Sequence, residues 1–230
     1  MKIKTLIKSC LLTYLSIIMS SSLWAASAKD IVISPMLIHI SPADEKEPVI
    51  TDINNSAVPG VDLSASSETI PGLGLTYFVS EKLALETYLA LPPTHDVFVS
   101  GLPGINKGAT AAMLPLAVFG QYHHAIPETR FTLVGGVGLI YAMFRDIDVT
   151  TQVSQLDPTI KFIAEDTFGL SLQVGGQYEL NDRFHLRATY TKMFLDVDFD
   201  ITTSVSFLGN LSSTLGLDPD IFMLGMAYML

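Results

Sequence analysis

The stretch "TFGLSLQVGGQYEL", residues 167–180, alternates almost without fault. Phe168, Leu170, Leu172, Val174, Tyr178 and Leu180 share one parity, and Thr167, Gly169, Ser171, Gln173, Gln177 and Glu179 the other. A period of two is the signature of a strand with one apolar and one polar face. What constrains the fold is which face turns inward. A soluble sandwich buries the greasy face. A membrane barrel turns it to lipid and lines its lumen with the polar one.

Composition favours the second arrangement. Hydrophobic residues make up 49% of the 230-residue chain and charged residues 16%, against roughly 25% charged in ordinary soluble domains. After Ala28 no run of 18 apolar residues occurs, so no helical span is expected. Alternation lets strands carry much apolar surface without such a run.

The first 28 residues read as a secretory leader, to be removed: Lys2, Lys4 and Lys8, an apolar Leu11–Met19 stretch, and Ala26-Ser27-Ala28 as the cleavage site. Residues 29–230 form the expected barrel domain. The leader holds three lysines, no acid, the only Cys and the only Trp. Its removal takes the formal charge from −10 to −13 and leaves no thiol for a disulfide. The acidic balance speaks against a nucleic-acid partner.

The alternation recurs at 72–79, 83–91, 114–124, 131–144, 183–192 and 221–230, and more weakly at 31–40, where Pro35 cannot donate to a ladder. With the opening segment these make eight strands, an even number and the smallest common barrel. Short turns near Ser80, Pro127 and Asp182 alternate with long segments at 41–69, 95–110, 148–165 and 202–217. Short periplasmic turns and long extracellular loops are the outer-membrane arrangement. The fold expected is an all-β, eight-stranded antiparallel up-and-down transmembrane barrel in a bacterial outer membrane. Asp196, Asp198 and Asp200 share the lipid-facing parity and so belong above the hydrocarbon. Tyr77, Tyr122, Tyr141, Tyr178, Tyr190 and Tyr228 are candidates for the aromatic girdles.

Eight strands leave an interior that side chains nearly fill. The inward parities supply Glu86, Tyr88, Phe119, Gln121, Gln173, Gln177, Glu179, Arg183, Arg187 and Met223 as lumen and constriction candidates, with Gly72, Gly74, Gly136 and Gly138 as space-leaving positions. Buried charges need partners: Glu86 and Glu179 on one side, Arg183 and Arg187 on the other. Paired, they either plug the barrel or form a constriction above which a hydrophobic solute leaves sideways into the bilayer.

Catalytic, metal and cofactor readings find little support. Ser171 and His185 are the nearest approach to a nucleophile and base. His123 and His124 point to opposite faces, so they make no metal site. The Gly135–Gly138 run lies inside a strand, without the helix of a dinucleotide site. A soluble ligand carrier would need more charge on the outer faces than Gly, Thr, Ala and Gln supply.

Three stretches resemble the outer membrane protein W (OmpW) family: "LGLTYFVSEKLALETYLALPPTH" at 73–95, "LPLAVFGQYHHAIPETRFTLVGGVGLIYAMF" at 114–144, and "DTFGLSLQVGGQYELNDRFHLRATYTKMFLDVD" at 166–198 with the "LDPDIFMLGMAYML" ending at 217–230. The resemblance implies a narrow barrel for passage of small hydrophobic molecules, in contact with outer-membrane lipid and lipopolysaccharide. It also admits a non-transporting structural barrel, or a surface receptor acting through acidic loops such as that holding Asp44, Glu45, Glu47, Asp52, Asp62 and Glu68. Such barrels commonly end in an aromatic residue that the outer-membrane assembly machinery reads; this chain ends in Leu230.

Overall fold

The computed structural model describes residues 27–43, 47–51, 56–101, 104–204 and 211–230. The leader expected over 1–28 lies almost wholly outside them, as do Asp44, Glu45 and Asp52. The elements are β1 (Ile31–Ser41), β2 (Glu47–Thr51), β3 (Ser56–Ala65), β4 (Glu68–Phe78), β5 (Leu83–Ala90), β6 (Thr94–Ser100), β7 (Lys107–Ala125) and β8 (Phe131–Val149). They continue with α1 (Thr151–Leu156), β9 (Lys161–Ala164), β10 (Thr167–Glu179), β11 (Phe184–Phe194), β12 (Asp196–Thr202), β13 (Leu211–Gly216) and β14 (Asp220–Met229).

Eight of these strands, in the order β5-β4-β1-β14-β11-β10-β8-β7, close on themselves through the β5–β7 pairing. Every neighbouring pair is antiparallel. This is the expected barrel. Its inside is the polar side: Gln173 is 1% exposed and Gln177 3%, whereas Val137 is 63% exposed and Leu139 67%. That inversion is stable only where hydrocarbon replaces water around the wall.

The aromatic residues mark the band. Phe131 packs on Tyr178 with ring centroids 4.8 Å apart, and Tyr141 on Phe168 at 4.5 Å. The pairs join the same two strands, ten residues apart along each. Ten residues rise about 33 Å, or about 25 Å across a bilayer once the strands tilt. Tyr190–Phe222 and Phe184–Tyr228 are matching pairs on β11 and β14.

β1 resolves the weakest alternation. Val32, Ser34, Met36, Ile38 and Ile40 point in, and Ile31, Leu37 and His39 point out. Both faces are mostly apolar, which blurs the period in the sequence. Pro35 holds its place: the register with β14 is the same on both sides of it. Opposite the next residue, Met36, a Cβ on Gly225 would sit 2.4 Å from the Pro35 carbonyl oxygen, so only glycine allows the close approach.

The long connections correct the expectation of loops. β7 and β8 run 19 residues each, about 60 Å and far more than the membrane requires. Above the bilayer the ladder continues from β7 through β6, β3, β2, β13 and β12 to β9. The result is a strand-built crown. Its inner face is apolar, with Leu63, Val97, Val99, Phe144, Val197 and Phe199 all buried. Asp196, Asp198 and Asp200 stand on its outer face, exposed. A bulge marks the transition: the β7–β8 register shifts between Thr110 and Ala112, opposite Asp146 at φ 48°.

Candidate functional site

The inward side chains sort into layers. At mid-membrane lies a polar belt around Glu86. The guanidinium of Arg187 grips this carboxylate with both terminal nitrogens, Nη2 to Oε2 at 2.6 Å. Thr76 donates to Oε1 at 2.8 Å, and Tyr88 and Gln121 donate to Oε2. Gln121 also donates to Gln173 Oε1 at 2.5 Å, and Gln173 donates to the Tyr88 oxygen at 2.8 Å and to Thr191 at 3.2 Å. Glu86, Arg187, Gln121 and Gln173 are each at most 2% exposed. A buried ion pair survives only when both charges are so surrounded. These partners come from β4, β5, β7, β10 and β11, so the belt ties walls across the lumen.

Above the belt the lumen turns apolar. Phe119 is 1% exposed and meets the Tyr88 ring edge-on at 5.5 Å. With Met223, Ile38, Ile40 and Met193 they surround a cavity of about 100 Å³. Below the belt are Gln177, Glu179, His123 and His185, all buried.

Of the candidates read from the sequence, Glu86, Tyr88, Gln121, Gln173 and Arg187 meet in one network, Phe119 and Met223 roof it, and Gln177 and Glu179 lie beneath. Arg183 is the correction: it is exposed, in the turn between β10 and β11. There Asn181 Oδ1 accepts from the backbone N–H groups of residues 183 and 184, so the turn claims a position that alternation assigned to the lumen. The inward glycines also differ from expectation. They do not leave space; large neighbours fill it. A Cβ on Gly138 would fall 2.7 Å from the Phe119 ring, and one on Gly72 2.4 Å from Ile38 Cδ1. Ser171 and His185 are separated. Ser171 pairs with Met193 and His185 with Glu179, which places them about 26 Å apart along the wall. His123 is buried and His124 exposed.

Alternation could not reveal a break in the wall. β5 pairs with β7 from Leu83 to Thr87, opposite Tyr122 to Val118. Beyond Thr87, β5 keeps its bonds to β4 as far as Ala90 but leaves β7. Pairing with β7 resumes only where Met113 N–H donates to the Pro93 carbonyl. The sequence explains the gap. Lys82 O accepts from His123 N, so bonded pairs recur every second residue in this register, at 84/121, 86/119, 88/117 and 90/115. Pro115 has no N–H to give Ala90, and Pro92, next in the same series, has none to give Met113. At the edge, the Thr87 hydroxyl takes the Ala117 carbonyl at 2.8 Å, in place of the Tyr88 amide. The apolar cavity reaches this gap: beside inward residues it is lined by Leu89, Leu114 and Leu116, which sit on the outer parity.

An inside-out antiparallel barrel of eight strands, with aromatic girdles and a polar interior, is an outer-membrane protein. Residues 27–230 match the OmpW family, and the chain belongs to it. Among relatives, an uncharacterized outer-membrane protein of Sinorhizobium fredii, y4mB, is 30% identical over 183 residues, spanning 78% of this chain and 75% of that one. Outer membrane protein W of Vibrio cholerae is 25% identical over 185 residues, 78% of this chain and 80% of its own. In fold, the crystal structure of OprG from Pseudomonas aeruginosa superposes with a TM-score of 0.82 at 24% identity, over 91% of this chain and 99% of that one.

Proposed function

We propose that this barrel admits small hydrophobic molecules through its crown and releases them sideways into the bilayer between β5 and β7. The observation that carries this reading is the union of a closed belt below, an apolar cavity above it, and a proline-maintained gap beside that cavity. An axial path would take a hydrophobic solute past a buried ion pair, where it offers nothing to replace the bonds it breaks. A lateral path exchanges apolar walls for lipid tails at little cost.

The test is a staple. Leu89 and Leu116 are directly opposite in the continued β5–β7 register. Cysteines at both positions, oxidised to a disulfide, should abolish the protein-dependent uptake of a hydrophobic fluorescent tracer by cells. Reduction should restore it, and uptake of a small sugar should not depend on the protein at all. Tracer uptake that persists with the staple closed would exclude the lateral exit. Sugar uptake that rises with the wild-type protein would mean a water-filled axial pore. The sealed belt also suits a second reading, a non-transporting barrel acting through its crown as a structural element or surface receptor. No protein-dependent uptake of either probe would favour that one.

A further inference from the structure

The crown interior is largely apolar, and of its buried polar side chains Ser213 and Asp157 are hydrogen-bonded to neighbours among the described residues. His95, on β6, points inward with Val97 and Val99 and is 8% exposed. Its Nδ1 lies 2.8 Å from the Ser66 carbonyl. A carbonyl only accepts, so Nδ1 carries the proton and Nε2 of the neutral ring carries a lone pair. Ser66 is itself fixed against β6, its N–H donating to the Asp96 carbonyl and its hydroxyl accepting from the Asp96 N–H. Nε2 is fully buried and has no hydrogen-bond partner among the described residues.

This histidine lines a cavity of about 30 Å³ whose other walls are apolar, among them Ile40, Met113, Phe144 and Phe199. The space suffices for one hydroxyl-sized group. Ile40 is also a wall of the larger cavity above the belt, so the small cavity adjoins the proposed path. A buried acceptor left unmatched is costly, and a donor that reaches it recovers that cost.

We propose that His95 Nε2 is a recognition point for molecules with an apolar body and one hydroxyl donor, such as alcohols and phenols, and that it favours them over plain hydrocarbons of the same shape. The proposal rests on the reading of the barrel as a path for small hydrophobic molecules and names the class it prefers. The ring acts through an accepted hydrogen bond and undergoes no covalent step. His95→Leu removes the acceptor. His95→Gln keeps it, since a glutamine can donate to Ser66 through Nε2 and still present Oε1.

The test uses the full barrel in lipid nanodiscs, with 4-fluorophenol and 4-fluorotoluene as probes, followed by fluorine NMR. Background partitioning is subtracted with empty discs. The wild-type protein should bind the phenol about three- to tenfold more tightly than the toluene, the range of one buried hydrogen bond. That preference should vanish in His95→Leu and survive in His95→Gln. The phenol alone should also shift the His95 Nε2 nitrogen resonance of the wild-type protein, a readout available even where a variant fails to fold. Equal affinity for both probes, a preference unchanged in His95→Leu, or an Nε2 resonance insensitive to the phenol would overturn the proposal. Binding is read here without transport, so a failed uptake experiment with this preference intact would strike the transport reading and leave the recognition point standing.

Discussion

Two residues carry the sharpest expectations. Arg187 neutralises the one carboxylate of the belt, and truncating one member of a buried pair leaves the other charge stranded at about 3–5 kcal/mol. Arg187→Ala should therefore lower unfolding stability in lipid vesicles by that order, measured by urea titration. The double variant Glu86→Gln with Arg187→Met should recover most of the loss. Glu86→Gln alone should leave tracer uptake intact if the belt only seals the axis; a changed uptake would give it a gating role. In the crown, hydrogen bonds from Thr159, Thr203 and Ser204 hold the Asp157 carboxyl well below the usual carboxylate range. A group whose pKa falls on folding stabilises the fold above its unfolded value of about 3.9 and ceases to do so as pH drops through the folded value. The protection of amides in the 150–164 segment, taken relative to the intrinsic exchange rate at each pH, should thus fall below about pH 4. Asp157→Asn should show fast exchange already at neutral pH and lose that acid dependence.

At the scale of elements, the seam between β5 and β7 is where backbone chemistry matters most. Two prolines, Pro92 and Pro115, remove donors that would continue it. Pro115→Ala returns an N–H opposite the Ala90 carbonyl and should extend the seam by one bonded pair. Tracer uptake should fall severalfold while stability rises slightly, since a new net hydrogen bond contributes about 1 kcal/mol. Unchanged uptake would separate the gap from transport. The crown belongs to the same scale. Its strands are short, four to ten residues, and each pairs with a segment distant in sequence. β13 meets β2 and β3 meets β6. Alternation over so few residues, broken by Pro, Gly and Ser, is indistinguishable from loop composition. Register fixes the pairing only after the long β7–β8 hairpin supplies an edge.

For the whole molecule, the expectation is a closed axis. Planar bilayers containing the wild-type protein should show no stable ohmic conductance, while the Glu86→Ala, Arg187→Ala double variant should give measurable current if the belt is the seal. Current through the wild-type barrel would place an open water path beside the belt. A wall that turns Leu, Val and Phe outward also requires a hydrocarbon-like surround, so removing detergent or lipid should precipitate the barrel without first unfolding it.

Period two, the scarcity of charge and the rhythm of short and long connections determined a barrel, its strand count, its inward face and most of its lumen residues. These are local properties: each strand announces its two faces in its own residues, and a closed sheet must then bury one of them. Tertiary structure alone decided which inward residues meet. Glu86 and Arg187 are 101 positions apart in the chain, and closure of the ring brings them together. It also removed Arg183 to a turn, filled the space beside the glycines with neighbouring side chains, and built the crown that encloses His95. Contacts across a lumen depend on shear and register around the whole ring, quantities that no single strand encodes.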